Sequence, residues 1–181
     1  MGLGHAIWCA RDIVGDEPFA IFLPDEFMHG SPGCMAQMVA EYEKVGGNLL
    51  SVLEVPREQV SSYGVIDPGA SHGALTEVKG LVEKPPRGKA PSNRIISGRY
   101  ILQPEVMRVL EHQGKGAGGE IQLTDAMAQM IGEQPFHAVT FDGARYDCGS
   151  KVGYIEANLA VALSRPDMAD EVRAVARRLA G

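Results

Sequence analysis

The segment Phe19–Glu26 has the sequence FAIFLPDE, an apolar run that ends at a proline and two adjacent carboxylates. A short apolar run bounded by helix- and strand-breaking residues predicts a strand that is buried on both faces. In α/β sheets, ligands gather beyond the carboxyl ends of the strands. We therefore predict that Asp25 faces a ligand site, where its carboxylate would suit a Mg²⁺ ion. The alternative is a solvated turn.

Segments of strand length alternate with segments of helical spacing along the chain. The strand candidates are 19–23, 48–55, 63–67, 77–83, 94–102 and 136–141, and the helix candidates are 5–14, 32–45, 104–110, 123–131, 152–159 and a last helix after Pro166. This alternation predicts an α/β layer architecture. The β-rich middle of the chain argues against an all-parallel sheet, so we expect a mixed one. No break in composition divides the chain, and we expect one domain over 1–181 with a C-terminal helix over 164–181.

Composition and charge narrow the classes of function. The 181 residues are 45% hydrophobic and 22% charged, which is typical of a folded domain. The formal net charge of −6 argues against nucleic-acid binding, and no apolar run reaches the roughly 20 residues of a membrane span. The three cysteines are widely spaced, which suits a reducing compartment. We expect a cytoplasmic protein that binds neither nucleic acids nor membranes.

Two further segments bring charged residues to the ends of strand candidates. Val82–Pro85 places Glu83 and Lys84 side by side, and strand alternation predicts that their side chains point to opposite faces. Asp147 lies at a predicted strand-to-helix turn, where it would complete a two-carboxylate metal site if it met Asp25. The alternatives are an exposed strand end for the first pair and a helix N-cap for Asp147.

Motifs for other chemistries are missing. Gly114–Gly119 satisfies G-x-G-x-x-G as a string, but it follows a helix candidate instead of a strand and therefore does not predict a dinucleotide site. Neither the Walker pattern nor the G-x-S-x-G nucleophile elbow occurs in the sequence. The residues thus indicate no nucleophilic triad.

A series of longer motifs carries a family resemblance. In chain order the motifs are GLGHA at 2–6, FLPDE at 22–26, EVPREQVSSYGVID at 54–67, GLVEKP at 80–85, APSNRIISGRYIL at 90–102, GAGGEIQLTDAM at 116–127 and RYDCGSKVGYIEAN at 145–158. The series closely resembles bacterial UTP–glucose-1-phosphate uridylyltransferases, also called UDP-glucose pyrophosphorylases. The likeness runs from Gly2 to about Pro166, and GEIQLTDA and YDCG-x-K-x-GY distinguish this family from other sugar nucleotidyltransferases.

The resemblance implies a fold and a reaction. The fold is a Rossmann-like nucleotidyltransferase fold with a mixed, mostly parallel sheet flanked by helices. The reaction joins UTP and glucose 1-phosphate into UDP-glucose and pyrophosphate with the help of Mg²⁺. Members of the family begin with a strand and a G-x-G-T-R loop that wraps the UTP phosphates. Because this sequence starts at GLGHA, we expect an N-terminally incomplete version of the fold.

The resemblance also implies roles for individual residues. Asp25 and Asp147 would hold Mg²⁺, and Asp25 and Lys84 are the candidate catalytic residues. The expected substrate-binding residues are Gly2 at the uracil, Gly64 and Glu83 at the glucose ring, Lys84 at the sugar phosphate, and Ile96 and Ser97 along the sugar pocket. All of these roles require that Asp25 and Lys84 converge on one cavity.

Three functions remain open from the sequence. The first is a uridylyltransferase whose metal and sugar half lies in this chain. The second is a truncated sugar-nucleotide-binding or oligomerisation module without activity, and the third is a sugar nucleotidyltransferase of other nucleotide specificity. The expected partners are UTP, glucose 1-phosphate, UDP-glucose and a second copy of the chain, since Val172, Val175 and Leu179 would pack either on their own core or on a neighbour.

Overall fold

The computed structural model describes all residues from 1 to 181 and contains eight strands and seven α-helices. The strands are β1 (Phe19–Phe22), β2 (Glu26–His29), β3 (Asn48–Glu54), β4 (Gly64–His72), β5 (Leu75–Glu83), β6 (Arg94–Leu102), β7 (Phe136–Thr140) and β8 (Ala144–Asp147). The helices are α1 (Leu3–Trp8), α2 (Arg11–Val14), α3 (Cys34–Val45), α4 (Val106–His112), α5 (Leu123–Met130), α6 (Lys151–Ser164) and α7 (Ala169–Ala180).

Six strands form the main sheet, in the order β1-β6-β3-β7-β5-β4, and β6 also meets β4 through Ile95 and Val65. Only β3 and β7 are parallel, whereas every other neighbouring pair is antiparallel. The predicted mixed sheet is confirmed. The expectation that most pairs would be parallel is wrong, because β4 and β5 form a hairpin and β6 runs against both β1 and β3.

Helices cover both faces of the main sheet, because its central strands are apolar along their length. Leu49 of β3 belongs to a cluster of six buried residues on the side of α3. Leu50 belongs to a cluster of eighteen on the side of α1, α4 and α5. Both side chains are fully buried, and such burial stabilises the fold by roughly 2 kcal/mol per residue. The predicted α/β layers are therefore confirmed.

β1 lies at an edge of the main sheet and differs from its prediction. It pairs with β6 alone, and its side chains alternate between half-buried and exposed, with Phe22 56% exposed. The expected burial on both faces is wrong, because an edge strand has one neighbour and solvent reaches alternate side chains. The chain then passes through Pro24 and Asp25 directly into β2.

β2 and β8 form a separate two-stranded antiparallel sheet, named the β2–β8 ribbon below. Glu26 lies opposite Asp147 at one end of the ribbon, and His29 lies opposite Ala144 at the other. β2 is not predicted by the sequence pattern, and β8 is predicted only as a strand that ends at the turn of Asp147, because each has four residues of mixed polarity and no apolar alternation. The ribbon brings the segments around Asp25 and Asp147 next to each other.

The last two helices, α6 and α7, pack against each other. α7 begins at Ala169, later than the predicted 164, because α6 continues to Ser164 and Pro166 follows it. Apolar side chains remain exposed on both helices, namely Val152, Tyr154, Ile155, Leu159, Leu163, Val175 and Leu179. None of the helices combines the length and the apolar character that crossing a membrane requires.

Candidate active site

A cavity of about 360 Å³ opens where the carboxyl ends of β1 and β5, the beginning of β4 and the middle of β6 meet the β2–β8 ribbon and the start of α5. The predicted site residues that line it are Asp25, Gly64, Glu83, Lys84, Ile96 and Asp147. The expected convergence of Asp25 and Lys84 on one hollow is confirmed. A larger apolar groove of about 730 Å³ runs between the ribbon and the last two helices, and none of the predicted site residues lines it.

Glu83 and Lys84 both face this cavity from the end of β5. Lys84 Nζ lies 3.8 Å from Glu83 Oε1, so the prediction that the two side chains point to opposite faces is wrong. The cause is the backbone of Lys84, whose φ of +47° is the one positive value outside glycine. A left-handed residue after a strand breaks the alternation of side chains, at a cost of about 1–3 kcal/mol. Strain of this kind clusters at functional sites.

Gly64 lies opposite Glu83 in the β4–β5 pairing. A Cβ at this position would lie 3.0 Å from Thr124 Oγ1, 3.1 Å from Glu83 Oε2 and 3.1 Å from Ile96 Cδ1. Glycine therefore keeps space open beside the Glu83 carboxylate, which is 11% exposed. A carboxylate with free space in front of it can accept hydrogen bonds from the hydroxyl groups of a ligand.

Ile96 and Ser97 follow each other in β6 and therefore face opposite sides of the sheet. Ile96 lines the cavity. Ser97 is fully buried on the other side, where its hydroxyl lies 2.8 Å from that of Ser51, which in turn accepts from the Cys34 thiol at 3.4 Å. The structure does not bring Ser97 to the cavity, and the expected contact of Ser97 with a sugar is corrected to a buried hydrogen bond.

Gly2 precedes α1 and has a φ of +90°. A Cβ there would lie 2.7 Å from the Ile121 carbonyl oxygen, because the chain around Gly2 runs beside residues 120–121. Gly4 N donates to the carbonyl of Ile121, and Ile121 N donates to that of Met1, both at 2.9 Å. Gly2 itself does not line the cavity, whereas its neighbour Leu3 does. Close packing against residues 120–121 therefore explains why a glycine occupies position 2. The contact of Gly2 with uracil stays a prediction.

Asp25 and Asp147 face one small space. A Cβ on Gly149 would lie 3.0 Å from Asp147 Oδ1 and 3.4 Å from Asp25 Oδ2, so the missing side chain of Gly149 leaves a gap that both carboxylates border. The backbone N–H of Gly149 donates to Asp147 Oδ1 at 3.0 Å. The N-cap of α6 is Ser150, whose hydroxyl accepts from Gly153 N, so Asp147 does not cap this helix.

The two cations that line the cavity are each close to a glutamate. Arg145 makes a bidentate ion pair with Glu26, and Lys84 lies beside its neighbouring glutamate. The two aspartates have no cation within 4.0 Å. Two uncompensated carboxylates around a gap fit Mg²⁺, which binds one or two carboxylates and completes its shell with water and phosphate oxygens. The chain offers no group of three or more His, Cys, Asp or Glu residues for a metal.

Arg99 holds the turn that presents Asp25. Its guanidinium donates to the carbonyl oxygens of Leu23 and Glu26, on either side of the turn. Gly98, with a φ of +68°, allows the turn to pack closely against β6, because a Cβ at this position would lie 2.6 Å from Glu26 Cγ. Gly98 and Arg99 are the middle of the RIISGRYIL strand, but alternation alone gives no sign that they contact another segment.

Tyr100 and Arg145 are cavity residues that the sequence pattern does not identify. Burial and the negative charges of Glu83, Glu26 and Asp25 raise the pKa of Tyr100, so its hydroxyl stays protonated and can donate. Burial alone would lower the pKa of Arg145, but the hydrogen bonds and charge of its glutamate partner raise it. The signal for Arg145 is its place two residues before Asp147 in the RYDCG motif.

The sequence of the chain is similar to a known protein family and to individual relatives. The sequence matches the family described as nucleotidyl transferase over residues 1–164. The chain belongs to this family. The chain is 54% identical to the UTP–glucose-1-phosphate uridylyltransferase of Komagataeibacter xylinus over 151 residues, which are 83% of the chain and 53% of that protein. The family resemblance inferred from the motifs is confirmed.

Two solved structures share the fold of the chain. One is a UDP-glucose pyrophosphorylase complexed with UDP-glucose, with a TM-score of 0.86 and 41% identity, covering 91% of this chain and 63% of that one. The other is a UTP-bound enzyme of the same kind from Acinetobacter baumannii, with a TM-score of 0.86 and 37% identity, covering 98% and 62%. The expected nucleotidyltransferase fold is confirmed, and the chain spans less than two thirds of the length of these relatives.

Proposed function

We propose that this chain carries the metal and sugar-phosphate half of a UDP-glucose pyrophosphorylase, which forms UDP-glucose and pyrophosphate from UTP and glucose 1-phosphate. The observation that carries the proposal is the convergence of Asp25, Asp147, Glu83 and Lys84 on one cavity. The relatives named above, one complexed with UDP-glucose and one with UTP, support the choice of substrates.

The sugar side of the site follows from three residues. Gly64 leaves room for a pyranose ring, and Glu83 accepts hydrogen bonds from its hydroxyl groups. Lys84, held in a left-handed conformation, turns its ammonium into the cavity, where it pairs with the phosphate of glucose 1-phosphate. Once a phosphate is bound, Glu83 and the phosphate share this cation. The assignment of Gly2 to the uracil pocket rests on the family resemblance.

The transfer itself requires positioning and charge neutralisation more than covalent chemistry. An oxygen of the sugar phosphate attacks the α-phosphorus of UTP, a new P–O bond forms, and the bond to the leaving pyrophosphate breaks. Held by Asp25 and Asp147, Mg²⁺ would supply positive charge to the phosphates. Lys84 stabilises the negative charge on the attacking side. No enzyme nucleophile is needed, which agrees with the absence of a nucleophile motif from the sequence.

Binding and turnover test this proposal separately. UDP-glucose is titrated into the chain by calorimetry with Mg²⁺ present, and pyrophosphate release is followed with UTP and glucose 1-phosphate. Glu83→Gln should weaken UDP-glucose binding about tenfold, because a charged hydrogen-bond acceptor is lost. Glu77→Gln is the matched control, since Glu77 lies on the same strand but outside the cavity.

The possible results separate the functions left open by the sequence. Pyrophosphate release that requires UTP supports the uridylyltransferase. UDP-glucose binding without turnover supports a sugar-nucleotide-binding module, and equal use of dTTP supports a different nucleotide specificity. A folded chain that neither binds UDP-glucose nor releases pyrophosphate contradicts the proposal.

We further propose that the chain forms a homo-oligomer and works in the cytoplasm. Exposed apolar side chains on the last two helices, such as Leu179 at 78% exposure, support a contact between copies. Cys9, Cys34 and Cys148 are all free thiols, which suits a reducing compartment. Light scattering after size-exclusion chromatography measures the oligomeric state, and a monomer at micromolar concentration would contradict the first part.

A further inference from the structure

The Glu26–Arg145 ion pair joins the two strands of the β2–β8 ribbon, and its residues are close in sequence to the two candidate metal carboxylates. Glu26 follows Asp25 directly and lies opposite Asp147 in the ribbon, and Arg145 precedes Asp147 by two residues. The side chains are 12% and 14% exposed, and the guanidinium contacts both carboxylate oxygens. We propose that this ion pair positions Asp25 and Asp147 for a divalent cation, an inference that rests on the metal site of the proposed function.

The ion pair fixes the register of the ribbon. Arg145 lies opposite Met28, so its bond to Glu26 crosses the ribbon diagonally. A two-stranded ribbon is marginally stable by itself, and a slip of one residue would turn Asp147 to the other face. The diagonal bond forms in the observed register and is lost on such a slip. It therefore opposes the movement that would separate the two aspartates.

The same arginine ties the ribbon to the wall of the cavity. Its guanidinium lies 5.1 Å from the centroid of the Tyr63 ring, and Tyr63 lines the cavity on the side of the main sheet. The guanidinium of Arg99, on β6, donates a hydrogen bond to the backbone carbonyl of Glu26. Glu26 is thus held by one arginine at its side chain and by another at its backbone, and the aspartate before it has little freedom to move.

A positioning role and a purely electrostatic role of Arg145 predict opposite changes in metal affinity when the side chain is removed. As a buried cation near the metal site, Arg145 repels a divalent ion, so removing its charge alone would tighten metal binding. If Arg145 acts by positioning the aspartates, removing it weakens metal binding instead. The sign of the change in affinity therefore distinguishes a positioning residue from a nearby charge.

The experiment titrates the full chain with Mn²⁺ alone and measures free Mn²⁺ by electron paramagnetic resonance. Arg145→Met and Glu26→Gln should each weaken Mn²⁺ binding about 10-fold to 100-fold, as is typical for residues that orient metal ligands. Arg145→Lys, which keeps the charge and one hydrogen bond, should recover part of the affinity. Arg94→Met is the matched control, because Arg94 pairs with Glu54 outside the cavity, and it should bind Mn²⁺ as the unaltered chain does.

Each result decides the matter. Circular dichroism first establishes that each variant is folded at the temperature of the titration. Unchanged or tighter Mn²⁺ binding by Arg145→Met overturns the positioning role while the metal site stands. If Arg145→Met does not fold, Glu26→Gln decides, and unchanged Mn²⁺ affinity in that variant overturns the role. Failure of the unaltered chain to bind Mn²⁺ overturns the metal part of the proposed function as well, so the two failures are distinguishable.

Discussion

In the centre of the main sheet, β3 and β6 are buried along almost their whole length, whereas no residue of the β2–β8 ribbon is fully buried. Apolar packing on both faces holds the central strands. Backbone hydrogen bonds, one ion pair and the guanidinium of Arg99 hold the ribbon. The central strands thus provide most of the stability, and the ribbon provides the geometry of the metal carboxylates. Variants in the two regions should therefore have separable effects.

Asp25→Asn should have the largest effect on function. The amide keeps the shape of the side chain but removes half of the negative charge that borders the gap, so we expect Mn²⁺ binding to be lost and UDP-glucose formation to slow at least about a hundredfold. The thermal midpoint should change little, because Asp25 is exposed and makes no ion pair. Asp12→Asn, at an exposed position of α2, is the control. A near-normal rate in Asp25→Asn would remove Asp25 from the site.

Leu50→Ala should have the largest effect on stability. Deleting a fully buried side chain in β3 leaves a cavity and should lower the free energy of unfolding by about 3 kcal/mol in urea titrations. The protein that remains folded should bind Mn²⁺ with unchanged affinity. Ile13→Ala, at a side chain that is 89% exposed, should leave both quantities unchanged. If Leu50→Ala weakens Mn²⁺ binding as much as a ribbon variant does, the two regions are not separable.

Gly149→Ala should weaken Mn²⁺ binding about tenfold, by filling part of the gap between the two aspartates. The backbone of Gly149 is not left-handed, so the added methyl group carries no conformational strain. Gly33→Ala is the control, because a Cβ there meets no atom within 4 Å. Equal Mn²⁺ affinity in the two alanine variants would mean that the cation does not use the gap beside Gly149.

Lys84→Gly and Lys84→Ala should differ in stability while sharing a loss of activity. Both remove the ammonium and should slow turnover. Only glycine relieves the positive φ of Lys84, so the glycine variant should be more stable than the alanine variant by about 1 kcal/mol. At Val82, which is regularly paired with Val65 in β5, the order of the glycine and alanine variants should reverse, because glycine is the poorer strand residue. The same order at both positions would argue against stored strain at Lys84.

The sequence predicts the apolar elements best. β6 is predicted with its observed bounds, Arg94–Leu102, and β3 ends within a residue of its prediction. β3 and β6 are long enough, at seven and nine residues, for their apolar content to indicate central strands, whereas the four residues of β1 form an edge strand. The position of Asp25 follows from the same logic, because a carboxylate at the end of a strand reaches the ligand edge of the sheet.

The β2–β8 ribbon and the backbone of Lys84 depend on contacts that leave no periodic pattern of apolar residues in the sequence. The ribbon strands are too short and polar to show alternation, so their pairing and the Glu26–Arg145 bond do not emerge from the sequence. The left-handed backbone of Lys84 has no glycine to mark it, and it reverses the predicted direction of one side chain. For Ser97, alternation within β6 decides its face, and the assignment from the motif overlooked it.

Consecutive residues of β6 serve four purposes in turn. Ile96 lines the cavity, and Ser97 is buried on the other face of the sheet. Gly98 lies against the turn at 23–26, and Arg99 donates hydrogen bonds to the carbonyls of that turn. Inserting or deleting a single residue in this part of β6 would turn each of these residues to the opposite face of the sheet. The polar loop at 86–93 can lengthen without changing which face any of them occupies. Among relatives, we therefore expect changes in length to accumulate in that loop and to spare the strand that follows it.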